Sequence, residues 1–238
     1  MAKKPPKQFV KYVAQQCLRL EETSKLNPNL KTQKENPAYR GPFDFQKVFN
    51  VFSKNYKLVP LEVFGKNKYK TLISTILSAR TRDEVTLVIS KNLFKKAPDL
   101  KSLKELSEKE IENIIHGVGF YKTKAKHLYR LARLTDKVPG TREELMELPG
   151  VGRKTANLVL NRAFGIPAIA VDTHVHRITN MLGWVHSNSP EETEKQLIEV
   201  LPKKYWESTN RLFVSIGQQY RTKQKLEEFL KKNKLIKN

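Results

Sequence analysis

The chain has 238 residues, enough for one large domain or two small ones with a sizeable core. Its 45 Lys and Arg against 24 Asp and Glu leave a net charge of +21, which favours a polyanionic partner, nucleic acid foremost. The single cysteine, Cys17, excludes an intramolecular disulfide or a thiolate metal cluster, and no apolar run approaches the roughly 18 residues of a membrane span.

Residues 1 to about 42 carry nine basic and three acidic residues with scattered prolines, and read as a basic arm. Phe9, Tyr12, Val13, Cys17 and Leu20 would line one face of a short helix there. This arm either attaches to phosphates or is a solvated tail. No apolar signal core precedes it, so the expected location is intracellular, in the cytoplasm or nucleoid.

From Asp44 the periodicity is helical. Asp44 is placed to cap a helix whose face is Phe45, Val48, Phe49 and Phe52. Tyr69, Leu72, Ile73, Ile76 and Leu77 form a second face, and Val85, Val88, Ile89, Leu93 and Phe94 a third, stopped near Pro98. Ser107 with Glu110 is a capping box leading into Ile111, Ile114 and Ile115. Gly117-Val118-Gly119 breaks that helix, most simply as a glycine helix stop, before Ala125, Leu128, Tyr129 and Ala132 begin the next.

Thr141 and Glu144 form another capping box. The tight turn Leu148-Pro149-Gly150-Val151-Gly152 then leads into a helix with Ala156, Val159, Leu160 and Ala163 on one face, ended by Gly165 and Pro167. Two short helices joined by glycines present backbone N–H groups that suit a phosphate oxygen. Asp172 stands where a cap for the following helix belongs. Ser189-Pro190-Glu191-Glu192 starts another, and a last pair covers roughly 203–219 and 223–236. No long period-two run occurs, so the expected fold is all-α.

Lys154 lies in the first turn of its helix beside Arg153, where the helix dipole and a neighbouring cation both disfavour the ammonium, as partial burial would. Those conditions suit a Schiff-base lysine. A lysine reaching a DNA phosphate fits the local pattern as well. Asp172 is read locally as an N-cap. His174 and His176 point different ways on a helix and have no third ligand at a suggestive spacing, so no metal site is expected.

Leu148–Asn157, followed by Ala170-Val171-Asp172-Thr173-His174, resembles the helix-hairpin-helix and catalytic segments of endonuclease III, a DNA glycosylase with lyase activity in the helix-hairpin-helix–GPD superfamily. Leu77–Asp83 is similar to that family's Leu-Ser-x-x-x-x-Asp segment, and Gly119-Phe120-Tyr121 to its Gly-Leu-Tyr loop. The similarity covers roughly residues 66–217.

The resemblance implies two helical subdomains, 43–65 with 175–238 and 66–174, with a DNA-binding cleft between them and the hairpin at about 141–164. It makes Lys154 the nucleophile at C1′ and Asp172 the assisting carboxylate. Gly150, Val151, Gly152, Arg153, Thr155, Lys122 and His174 become DNA contacts. Phe120 with Tyr121 and Arg80 become wedges filling the space left by an extruded nucleotide; core packing is the other reading of Tyr121.

The implied partner is duplex DNA with damaged bases, oxidised pyrimidines foremost, or abasic sites, processed by a monomer. The four C-terminal cysteines that hold an iron–sulfur cluster in most relatives are absent, so no cofactor is expected, and Phe213, Ile216, Leu226, Phe229 and Leu230 should pack that region instead. Two other readings stay open: a non-catalytic helix-hairpin-helix DNA-binding protein, and a mismatch or purine-lesion glycosylase.

Overall fold

The structure, a computed structural model, describes residues 43–237. The basic arm at 1–42 lies outside the described residues. Twelve α-helices and no strand are present among the described residues, an all-α fold.

Helix α1 (Phe45–Lys54) begins where Asp44 accepts from the Lys47 amide, as its sequence suggests. A 3-10 turn (Pro60–Phe64) leads to α2 (Lys68–Ser78), capped by Asn67. Next come α3 (Asp83–Lys96), α4 (Leu100–Glu105, capped by Asp99), α5 (Glu108–Ile114) and α6 (Tyr121–Leu134). The capping box of Ser107 and Glu110 is fully formed at α5. Helices α7 (Arg142–Met146) and α8 (Arg153–Val159) form the hairpin, and α8 widens into a π-helical turn at Leu160–Phe164. Then follow α9 (Thr173–Met181), α10 (Pro190–Val200), α11 (Trp206–Gln219) and α12 (Lys223–Lys232).

Two hydrophobic cores hold these helices. The first gathers Leu72, Ile73 and Leu77 of α2 with Leu93, Ile111, Leu128, Leu131, Leu145, Ala156 and Val159. The second is aromatic: Phe49 stacks on Tyr205 at 4.3 Å, and Phe52 meets Phe213 edge-on at 4.9 Å. Phe213, Ile216, Leu226, Phe229 and Leu230 are all buried in it, and Tyr220 stacks on Phe229 at 4.3 Å.

Two sequence expectations fail locally. Helix α3 is rotated from its expected face: Val88 is 59 % exposed while Thr86 and Ser90 are buried. Small hydroxyl side chains let α3 lie close to its neighbours, and the Thr86 hydroxyl is satisfied by the Arg82 carbonyl. Gly117 and Gly119 are also not a left-handed helix stop, since neither has positive φ. They are glycine because other atoms crowd them. A Cβ on Gly119 would stand 2.6 Å from the Arg80 carbonyl oxygen, and one on Gly117 2.8 Å from Ile89 Cδ1.

Candidate active site

The hairpin is assembled from local signals. Thr141 caps α7, and Leu145, Leu148 and Val151 fix the turn to the first core. The Val151 amide donates to the Leu148 carbonyl at 3.1 Å, so both the side chain and the N–H of this expected DNA contact are taken up within the protein. Gly150 needs its glycine: φ is +81°, and a Cβ would lie 2.7 Å from His127 Nδ1. Gly152 has φ −98°, and a Cβ there would meet nothing within 4 Å. The first intrahelical bond of α8 runs from Ala156 to Gly152, so the amides of Arg153, Lys154 and Thr155 precede it. No side chain caps them.

Arg153 is partly committed inside the protein. The carboxylate of Glu194, on α10 and only 3 % exposed, lies 4.0 Å from Arg153 and 3.8 Å from Arg142. It also accepts from the Asn157 amide at 3.0 Å. One buried carboxylate thus holds both helices of the hairpin to α10.

Lys154 is exposed, without the partial burial its sequence context allowed for. Asp172 is the N-cap of α9, and its Oδ1 accepts from both the His174 and Val175 amides at 2.9 Å. Its Oδ2 takes no hydrogen bond from the described residues, so a single oxygen holds the helix.

The segment that delivers Asp172 is buried and irregular: Ala168, Ile169, Ala170 and Val171 lie in the interior without regular secondary structure. Buried carbonyls need partners. Three asparagine amides supply them: Asn161 to Ala168 O at 3.0 Å, Asn157 to Ile169 O at 2.8 Å, and Asn210 to Ala170 O at 3.0 Å. Asn157 sits on α8 with Lys154, so the helix carrying the lysine also grips the stretch of chain carrying the aspartate.

His174 joins the pair electrostatically. Burial pushes its imidazole below the ordinary range; the Asp172 and Asp83 carboxylates act to raise it, and Arg177 and Lys154 to lower it. Lys154 and Asp172 are therefore both within electrostatic reach of one ring. Asp83 is itself held by the Gln218 amide at 3.0 Å. His176 faces elsewhere, with Nδ1 on the Thr193 hydroxyl at 2.6 Å. Among the described residues no group of His, Cys, Asp and Glu is arranged to hold a metal ion.

Arg80 and Phe120 meet at a second place, with the guanidinium 5.3 Å from the ring centroid. Both have left-handed backbones, φ 53° and 57°, which cost non-glycine residues about 1–2 kcal/mol each. Phe120 is 61 % exposed. Tyr121, by contrast, packs partly against the first core with its ring 4.6 Å from His116. Lys122 is exposed, and Thr155 is half-buried on α8. The roles of Asn157, Asn161, Asn210, Glu194 and Gln218 carry no local sequence signal; only the fold brings them to the site.

Residues 73–203 match the model of the HhH-GPD superfamily of base excision DNA repair proteins. The chain is 43 % identical over 178 residues to an endonuclease III from Thermotoga maritima, covering 73 % of this chain and 80 % of the relative. An endonuclease III from Bacillus subtilis is 36 % identical over 165 residues, covering 66 % and 74 %. Among solved structures, a trapped endonuclease III–DNA covalent intermediate with an estranged adenine superposes with a TM-score of 0.63 at 33 % identity, covering 75 % of this chain and 88 % of that one. A thermostable thymine-DNA glycosylase, at 22 % identity and TM-score 0.66, shares the fold.

Proposed function

The chain belongs to the HhH-GPD superfamily of base excision DNA repair proteins, within its endonuclease III branch, and on that premise we propose that it is a bifunctional DNA glycosylase and abasic-site lyase with Lys154 as nucleophile and Asp172 as its partner. The observation that supports the assignment is that Asn157 of α8, the helix that opens with Lys154, binds the Ile169 carbonyl in the segment leading to Asp172, whose Oδ1 alone caps α9.

The damaged nucleotide leaves the stack before reaction, at a cost of a few kcal/mol. Lys154 Nζ, having given up a proton, attacks C1′ as the bond to the base breaks. Positive character grows on the sugar in that step, and the Asp172 carboxylate stabilises it electrostatically. Asp172 also accepts the lysine proton. The nitrogen lone pair then opens the sugar ring: C1′–O4′ breaks, O4′ leaves as a protonated hydroxyl, and a C1′=N imine to Lys154 forms. That imine acidifies C2′–H, and loss of the proton expels the 3′-phosphate and nicks the strand. The α8 amides and Gly152 seat a phosphate of the same strand. Arg80 and Phe120 fill the vacated stack.

Membership of the endonuclease III branch favours oxidised pyrimidines as the excised bases, in duplex DNA, by a monomer working wherever the DNA is held. The two cores support a reading as two subdomains with the DNA between them. An iron–sulfur cluster does not fit the described residues: the region after α11 offers no thiolate and is packed by Tyr220, Leu226, Phe229 and Leu230. No step of the reaction runs through such a group.

Borohydride trapping on duplexes carrying an abasic site or an oxidised pyrimidine tests the assignment. Wild type should form a covalent adduct and Lys154→Ala none. A wild type that binds damaged duplex without an adduct or nick would return the chain to the non-catalytic reading.

A further inference from the structure

Lys124 is 6 % exposed, and among the described residues no other lysine is buried. It lies on α6, one turn after Phe120, and crosses to the end of α2. Its ammonium donates to the Leu77 carbonyl at 2.8 Å, the Ala79 carbonyl at 2.6 Å and the Thr81 hydroxyl at 3.3 Å. The two carbonyls are at the C-terminal end of α2, where a cation is favoured by the helix dipole and by unpaired acceptors. They and Thr81 also bracket Arg80. Thr81 Oγ1 in turn accepts the Gly119 amide at 3.0 Å, next to Phe120. The closeness of Gly119 to the Arg80 carbonyl, which admits no Cβ, is part of the same junction.

Two exposed side chains, each on a strained left-handed residue, are thus mounted on two loops with a single buried cation between them. Burying an ammonium is costly, and apolar packing of similar volume would serve stability as well or better. What the ammonium supplies is directional: three donors that hold the 77–81 segment to α6, whose first turn follows Phe120, while Thr81 joins that segment to Gly119. Strain at two neighbouring tips persists only when surrounding contacts over-determine it.

We propose that Lys124 is a positioning residue that locks the 79–82 and 117–121 loops together, so that Arg80 and Phe120 enter the DNA stack as one rigid wedge. This rests on the reading of the chain as a base-extruding glycosylase and assigns Lys124 no contact with the reacting atoms. Without the tie, each tip relaxes towards an ordinary backbone conformation, and extrusion loses the support of a preformed wedge. Chemistry at Lys154, once the nucleotide is out, is untouched.

The test compares single-turnover borohydride trapping on two abasic substrates: a fully paired duplex, and a duplex whose abasic nucleotide lies in a short mismatched bubble and is already unstacked. Lys124→Met, which keeps the stem and removes the donors, should trap about tenfold or more slowly on the paired duplex and within about twofold of wild type on the bubble. The fluorescence rise of 2-aminopurine beside the lesion should slow in parallel on the paired duplex. Thr81→Val, partly exposed and able to fold where Lys124→Met does not, should show the same split with smaller amplitude.

Equal slowing on both substrates would place Lys124 in general site integrity and overturn the proposal. Wild-type rates on the paired duplex for both variants would overturn it as well. A wild type that traps neither substrate would remove the enzymatic reading itself, and the wedge with it.

Discussion

Gly217 leaves the space that His174 occupies: a Cβ at Gly217 would stand 2.6 Å from His174 Cγ and nearer still to Nδ1. Helix α11 therefore backs the imidazole against which Lys154 and Asp172 both act. Gly217→Ala should displace the ring and cost about 1–3 kcal/mol of stability by overpacking, read from denaturant midpoints, with a fall in trapping rate. Burial lowers the His174 pKa. Above the unfolded value near 6.5 this group's contribution to stability is complete; as pH falls through the depressed folded value, the unfolded chain takes up a proton that the folded one resists, and the contribution is lost. The acid destabilisation should flatten in Gly217→Ala, whose ring is better solvated. An unchanged histidine titration and unchanged stability would show the contact to be tolerant.

The double role of Asp172 can be separated by two substitutions. Asparagine caps a helix about as well as aspartate, so Asp172→Asn should keep stability within about 0.5 kcal/mol while base excision falls about a hundredfold or more. Asp172→Ala should lose the rate and also about 0.5–2 kcal/mol, because the His174 and Val175 amides lose their acceptor. Excision at the wild-type rate by Asp172→Asn would make the residue a cap alone.

The hairpin glycines differ in kind. Gly150→Ala forces a side chain onto a left-handed backbone beside His127 and should cost about 1–2 kcal/mol without DNA present. Gly152→Ala meets nothing within 4 Å and should fold within about 1 kcal/mol of wild type. Its loss should appear only in DNA affinity, measured as a weaker complex with a shallower salt dependence. Undiminished affinity would mean that no phosphate approaches this turn.

Burial draws the Lys124 pKa down to about 8 from 10.5. Between those values the unfolded chain holds a proton that the folded protein has released, so stability from this group rises with pH across that window. Relative to Lys124→Met, wild type should gain stability from pH 8 upward in thermal or urea unfolding. Over the same range its bonds to Leu77 and Ala79 lose charge assistance, so processing of paired duplex should slow as the fold becomes more stable. A parallel rise of both would separate Lys124 from the wedge.

Sequence reading succeeds where the cause is local. Asp44, Ser107, Thr141, Asp172 and Ser189 all cap the helices their spacing announces, because a cap is decided within four residues. The chemistry proposed for Lys154 and Asp172 has no such local cause and rests on the family resemblance of the stretch that carries them both. Val88 misleads because apolar periodicity records a hydrophobic face without saying that Thr86 and Ser90 are small enough to allow a closer one. Gly117 and Gly119 mislead for a similar reason: their atoms are crowded by Ile89 and Arg80, residues far off in sequence. Asn210, Glu194 and Gln218 act on partners that no period or motif connects to them.

The three asparagines on the 168–170 carbonyls come from α8, from its π-helical turn and from α11. Until all three elements have docked, the buried carbonyls of the peptide leading to Asp172 lack their partners, since it forms no ladder of its own. The placement of Asp172 relative to α8 thus depends on the docking of three elements together. If Lys154 and Asp172 act as proposed, a partly folded chain, still strongly cationic and able to cling to DNA, holds the lysine before its carboxylate is in place and does not cut what it holds.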